Sequence, residues 1–213
     1  HVSIAGGIFN APANAAEIGC ETFQIFTRSP RGGQAPALTA KDIKQFKKNC
    51  QKFGYENFYV HTPYFINYAS ANNRVQFGSI NIVREELERA SKIGAKALMT
   101  HLGSGKDFDD KKTKKLVVEG LLKTLKNYKG VTQFLIELAA GAGKILGASF
   151  EEIAYYIKNV ERKDKRLKDK IGVCFDTCHA FALGYDLRDK KSVNKTFKDF
   201  DKIIGLKRLV LIH

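Results

Sequence analysis

Short apolar runs, most of them rich in β-branched and aromatic residues, recur along the chain: HVSI, TFQIFT, NFYVH, KALMTH, TQFLIE, IGVCFD and RLVLIH. They are near-continuous rather than alternating, the pattern of a strand covered on both faces. Between them, apolar residues fall at helical spacing. One helix is predicted from Thr39, with Ile43, Phe46 and Cys50 on one face. Another is predicted over about 74–93, where Ile80, Val83, Leu87 and Ala90 align. Further helices are predicted over about 110–128, from a Ser149–Glu152 capping box onward, and over about 192–204. Gly54, Gly94, Gly130 and Gly205 stand where helices return to strands, as left-handed C-caps would.

Strands that alternate with helices every thirty to forty residues or so predict a parallel sheet. Seven such strands, with no glycine-rich dinucleotide fingerprint after the first, favour a barrel over a doubly wound sheet. Residues 1–213 are therefore expected to form a single α/β barrel domain, ending after its seventh strand. GAGK at 141–144 fails as a phosphate loop, because Ile145 follows Lys144 and the upstream glycine is missing.

Composition adds constraints. At 44% hydrophobic and 27% charged, the chain is ordinary for a globular domain. No apolar run is long enough to span a membrane and no secretory leader opens the chain, so a cytoplasmic protein without a membrane partner is expected. The chain opens on histidine and its only methionine is Met99, which predicts a piece trimmed at its start. Cys20, Cys50, Cys174 and Cys178 are too scattered for a disulfide scaffold, and CxxxC fits neither a zinc ribbon nor a thioredoxin motif. They are predicted to be buried free thiols in a reducing compartment. The net charge of +14 points to a polyanionic partner, nucleic acid foremost. Thermophile-like lysine enrichment would give the same surplus.

The strand ends carry the chemistry. NFYVH ends in His61, KALMTH in His101, TQFLIE in Glu137, IGVCFD in Asp176 and RLVLIH in His213, and His179 follows three residues after Asp176. Any one of them has a structural explanation, as a hydrogen-bonded histidine or an acidic helix N-cap. Five successive strands ending alike predict a shared site, because carboxyl ends of barrel strands converge on one rim. Imidazoles mixed with carboxylates suit zinc or manganese. Three imidazoles and two carboxylates exceed the needs of one tetrahedral zinc, so a cluster with a bridging carboxylate is expected. Cys178, between two ligand-type residues, is predicted to be a packing residue.

HVSIAGG (1–7), FTRSPR (26–31), HTPYFIN (61–67), HLGSG (101–105), GVCFDTCHAFALGYDLR (172–188) and the terminal LIH together resemble the endonuclease IV-type apurinic/apyrimidinic endonucleases, end to end. The resemblance implies a (β/α)8 TIM barrel with about seven of its eight strands in this chain. It implies cleavage 5′ to abasic sites in double-stranded DNA by a monomer, leaving a 3′-hydroxyl and a 5′-deoxyribose phosphate. Three zinc ions are implied, with manganese an alternative at some positions. His61, His101 and Glu137 would hold the first. Glu137 would be the catalytic carboxylate and bridge to the second, with Asp176 and His213. His179 would hold the third. Tyr64 and Phe65 would wedge at the lesion, and Arg31 would enter the DNA groove.

Three departures qualify the likeness. Leu138 and Ala142 stand where the family is usually polar, Gly32 and Gly33 where it is usually bulky, and further cluster ligands of the family lie beyond His213. Two other readings stay open: a metal-dependent sugar isomerase or epimerase on a similar barrel, and a non-catalytic DNA-binding barrel. The +14 charge and Tyr64–Phe65 weigh against the first, and the filled ligand positions against the second.

Overall fold

The computed structural model describes all of residues 1–213. The apolar runs form β1 (Phe23–Ile25), β2 (Phe58–His61), β3 (Ala97–Thr100), β4 (Gln133–Glu137), β5 (Ile171–Phe175) and β6 (Leu209–Ile212). The helices are α1 (Ala11–Glu17), α2 (Ala40–Phe53), α3 (Asn73–Ile93), α4 (Asp110–Leu125), α5 (Phe150–Lys163), α6 (Thr177–Ala182) and α7 (Lys190–Ile203). All six strands are parallel and pair in sequence order. A doubly wound sheet would reverse that order, whereas a barrel does not. The sheet curls strongly: the rings of His1, beside one edge, and His213, beyond the other, are 5.5 Å apart.

Six strands are present rather than the expected seven. HVSI lies beside β1 through one backbone bond, Val2 N–H to the Gln24 carbonyl at 2.9 Å, and turns away at Ala5–Gly6 before a ladder forms.

The alternation of side chains along each strand separates two cores. Outward-facing Ile25, Val60, Leu98, Phe134, Ile136, Val173 and Phe175 meet the apolar stripes of the helices, including Phe46, Leu87, Leu121, Ile157 and Phe200. Inward-facing Ala97, Met99, Leu135 and Cys174 pack with Tyr59, Val210 and Leu211 and fill the barrel. Space there is short: a Cβ at Gly172 would come within 2.7 Å of Leu135 and Val210.

Helix ends depart from expectation in detail. Gly54 and Gly94 cap α2 and α3 in the left-handed conformation. Gly130 does not cap α4, because Asn127 takes the left-handed position (φ 55°) instead. Gly205 donates its N–H to the Phe200 carbonyl of α7 at 3.1 Å, but at φ 100° and ψ 126° it is not a left-handed cap and opens a 3-10 turn. The reciprocal capping box falls at Thr39–Asp42. At Ser149 it closes one way only. Ser149 Oγ accepts from Glu152 N–H, but the Glu152 carboxylate accepts from Gly147 and Ala148 N–H and ties down the loop after β4.

All four cysteines are free, and Cys50 and Cys174 are buried. Cys178 is exposed, not a packing residue: on short α6 the inward position goes to Ala180. No helix is long and apolar enough to cross a membrane.

Candidate metal centre

The inner core explains how the rim is built. Tyr59, Met99, Leu135, Cys174 and Leu211 point into the barrel. Two residues further on, on the same face of each strand, stand His61, His101, Glu137, Asp176 and His213. Because the strands are parallel, all five emerge at one end. α6 brings His179 to the same place one turn after Asp176.

Glu137 is the hub. Its Oε2 lies 3.0 Å from His61 Nε2 and 3.7 Å from His101 Nε2. Its Oε1 lies 3.0 Å from His213 Nδ1 and 3.8 Å from His179 Nδ1. Asp176 Oδ2 sits 3.2 Å from His213 Nδ1. Three overlapping groups have ligand atoms close enough to share an ion: His61–His101–Glu137, Glu137–Asp176–His179 and Glu137–Cys174–His213. Glu137 belongs to all three, the place a bridging carboxylate would occupy.

These residues fit a cation. Glu137 is buried, and its Oε2 has no hydrogen-bond donor. His61 Nδ1 faces the Thr62 carbonyl, and a proton donated there leaves an Nε2 lone pair facing Oε2. Two electron-rich atoms at that distance call for a positive charge between them, and His101 Nε2 offers a third ligand to the same gap. His179 Nδ1 is likewise 2.8 Å from the Leu138 carbonyl, which orients the ring beside Glu137 and Asp176. The backbone of residue 138 thus supplies an orienting acceptor that does not depend on its side chain.

Ionisation follows the same geometry. Burial alone would raise the Glu137 pKa, but the hydrogen bond from His213 and the ring of neighbouring imidazoles hold it well below the usual carboxylate range. Burial lowers the His101 pKa against the pull of Glu137, which favours the neutral, metal-binding ring. The hydrogen bond to Glu137 raises that of His213. Burial, reinforced by Glu137 and Asp176, pushes the Cys174 thiol far up, so it stays protonated and the ligand set is nitrogen and oxygen. Asp176 serves two ends at once: Oδ1 caps α6 by accepting from His179 N–H at 2.7 Å, and Oδ2 faces His213.

His1 and Phe26 also belong to the rim, and sequence reasoning assigned neither. Their rings stack at 4.6 Å, and His1 lies 5.6 Å from His61. Phe26 stands two residues beyond inward-facing Gln24, so the strand-end rule would have found it had aromatic residues been counted. His1 opens an apolar run instead of closing one, and so escaped that rule.

Tyr64 and Phe65 are 62% and 39% exposed on the loop after β2. The Tyr64 ring is 6.0 Å from His61 and 5.3 Å from Phe26. Arg31 is exposed on the loop after β1, next to Pro30, whose carbonyl accepts from Tyr64 N–H at 3.1 Å. Gly103 lets the loop after β3 pass this one: its φ is 96°, and a Cβ would lie 2.4 Å from Asn67 Cα. Gly103→Ala is expected to cost more than about 1 kcal/mol of stability. An unchanged denaturation midpoint would contradict that close approach.

Comparison with known proteins gives a consistent result. Residues 12–213 match the family described as xylose isomerase-like TIM barrel. The probable endonuclease 4 of Campylobacter concisus is 39% identical over 216 residues, spanning 100% of this chain and 74% of that protein. The crystal structure of endonuclease IV from Thermus thermophilus superposes with a TM-score of 0.85 at 30% identity, covering 100% of this chain and 74% of that one. An L-ribulose 3-epimerase structure superposes with a TM-score of 0.71 at 14% identity over 100% of this chain and 65% of that one, a likeness of fold alone.

Proposed function

The chain belongs to the endonuclease IV family of xylose isomerase-like TIM barrels, and from that premise we propose that it is a metal-dependent DNA-repair nuclease cutting the phosphodiester bond 5′ to abasic sites in duplex DNA. The observation that carries this reading is the buried, donor-free Glu137 Oε2 facing the His61 and His101 nitrogens. His61, His101 and Glu137 would hold one zinc, Glu137 with Asp176 and His213 a second, and His179 would contribute to a third. Manganese is the alternative. A divalent metal held there supplies Lewis acidity, acidifying water and neutralising charge that builds on phosphate oxygens.

The chain's own residues do the rest. Glu137 stays ionised against its burial and gives the cluster a fixed negative charge. The Thr62 carbonyl holds the His61 ring with Nε2 toward Glu137, and the Leu138 carbonyl orients the His179 ring. Inward-packed Met99, Leu135 and Cys174 close the barrel beneath and keep bulk water from reaching the cluster from below. The lysine surplus supplies phosphate contacts without sequence preference. The reading extends to a monomer acting in the compartment that holds the DNA.

Tyr64 and Phe65 would fill the gap left by a missing base and prop the abasic sugar toward the cluster. Replacing both with Ala is expected to weaken abasic-duplex binding by about 1–3 kcal/mol per lost stacking contact, with little change for undamaged duplex. Equal weakening on both DNAs, measured by fluorescence anisotropy, would count against the wedge. The same exposed aromatic pair and the +14 charge disfavour a small neutral sugar as substrate.

The activity is tested with an end-labelled duplex carrying one abasic site and metal-replete full-length protein. The expected product is a single 5′-side cut whose 3′-hydroxyl a DNA polymerase extends. No cut, or equal cutting of undamaged duplex, would overturn the reading.

A further inference from the structure

Beneath the loop that follows β1 lies a charged cluster that the metal rim does not use. Glu86 on α3 is 0% exposed, and Arg28 and Arg89 are 5% and 8% exposed. Arg28 Nε donates to Glu86 Oε1 at 2.7 Å, and Arg28 Nη2 pairs with Glu85 at 2.7 Å. Thr27 Oγ1 donates to Glu86 Oε2 at 2.6 Å and accepts from Arg89 Nε at 2.9 Å. Arg89 also donates from Nη2 to the Thr27 carbonyl at 2.8 Å and from Nη1 to the Pro36 carbonyl at 3.0 Å.

Stability alone does not account for such a cluster. Burying ions is costly, and replacing a buried ionic network with apolar residues of similar volume is often neutral or stabilising. What the network does uniquely is geometric. Its bonds to the backbone land on Thr27 and Pro36, the two ends of one loop. Pro30 and Arg31 lie between these pins, and the Pro30 carbonyl accepts from Tyr64 N–H. A continuous chain of contacts therefore runs from α3 through the loop to the exposed aromatic pair. Glu86, Arg28 and Arg89 are themselves too buried to touch DNA.

We propose that Glu86, with Arg28 and Arg89, is a positioning device for duplex recognition: it pins the 27–36 loop at both ends so that Arg31, and through Pro30 also Tyr64, meet the DNA in one pose. This rests on the nuclease reading above. The ligands of the metal rim hang from the strand ends and do not depend on it.

The decisive variant is Arg28→Met/Glu86→Met/Arg89→Met in the intact protein, which removes the charges while keeping the volume. Metal content and cooperative melting are expected to persist. KM for abasic duplex should rise about tenfold or more while kcat changes by less than about threefold. Amide exchange over 27–36 and at Tyr64 should quicken about tenfold or more. Unchanged KM and exchange in the folded variant would overturn the proposal, as would a fall in kcat accompanied by metal loss. If the triple variant does not melt cooperatively, Glu86→Gln is read by the same measures. If the parent protein fails to cleave, the nuclease reading falls by itself. Anisotropy with abasic duplex then decides the positioning role, with weaker binding and faster exchange supporting it and unchanged values refuting it.

Discussion

Glu137→Gln is expected to lower kcat on abasic duplex by about a hundredfold or more, equivalent to about 3 kcal/mol of lost transition-state stabilisation. The amide matches the carboxylate in shape, so the fold should persist. It cannot carry the negative charge that faces His61, His101, His213 and His179, and its NH2 group would turn a donor toward the His61 and His101 Nε2 lone pairs meant for a cation. Metal content should fall with activity, because Glu137 belongs to all three candidate groups. A loss of less than about tenfold, with zinc content unchanged, would defeat the assignment of Glu137 as the bridging ligand.

Stripping the metals should have an effect of similar size on stability. Without a cation, the buried Oε2 of Glu137 is left facing imidazole nitrogens with no donor of its own. A ligand present at a thousand times its dissociation constant adds about 4 kcal/mol to folding stability. For a chain of this size, that corresponds to a melting shift on the order of 8–16 °C. Dialysis against a strong chelator is therefore expected to abolish cleavage and lower the melting temperature by that amount, with both restored by added zinc. Melting and cleavage that are indifferent to the chelator would remove the metal centre from the account.

The rim was legible in the sequence because two periodicities coincide there. A buried parallel strand reads as an unbroken apolar run, so the residue that closes the run, just past its last one or two positions, marks the barrel's carboxyl end. In His61, His101, Glu137, Asp176 and His213 that residue can bind a metal. Asp176 was the most ambiguous, since an acid after a strand is commonly a helix N-cap. It proves to be a cap, and its second oxygen remains free to face His213.

Other features were hidden for physical reasons. HVSI has the composition of a strand, but pairing depends on where the chain turns, and it turns at Ala5–Gly6 after one backbone bond. α6 is too short for a periodic pattern, which is why Cys178 was assigned to the interior when it faces solvent. Glu86 and Arg89 look in sequence like part of an ordinary charged helix face, RVQFGSINIVREELERASK, and only the packing of the loop after β1, which carries Arg28, over α3 buries them. The capping box at Thr39–Asp42 departs from the Ser/Thr-x-x-Glu/Gln pattern because the shorter Asp closes it.

The central claim is that Glu137 and the surrounding histidines hold metal, and anomalous diffraction at the zinc edge from crystals of the protein tests it most directly. The expected result is a strong anomalous peak between Glu137 Oε2, His61 Nε2 and His101 Nε2, with a second on the His213–Asp176 side of the same carboxylate. A zinc-replete crystal with no anomalous peak at Glu137, its carboxylate instead hydrogen-bonded to protonated imidazoles, would contradict it.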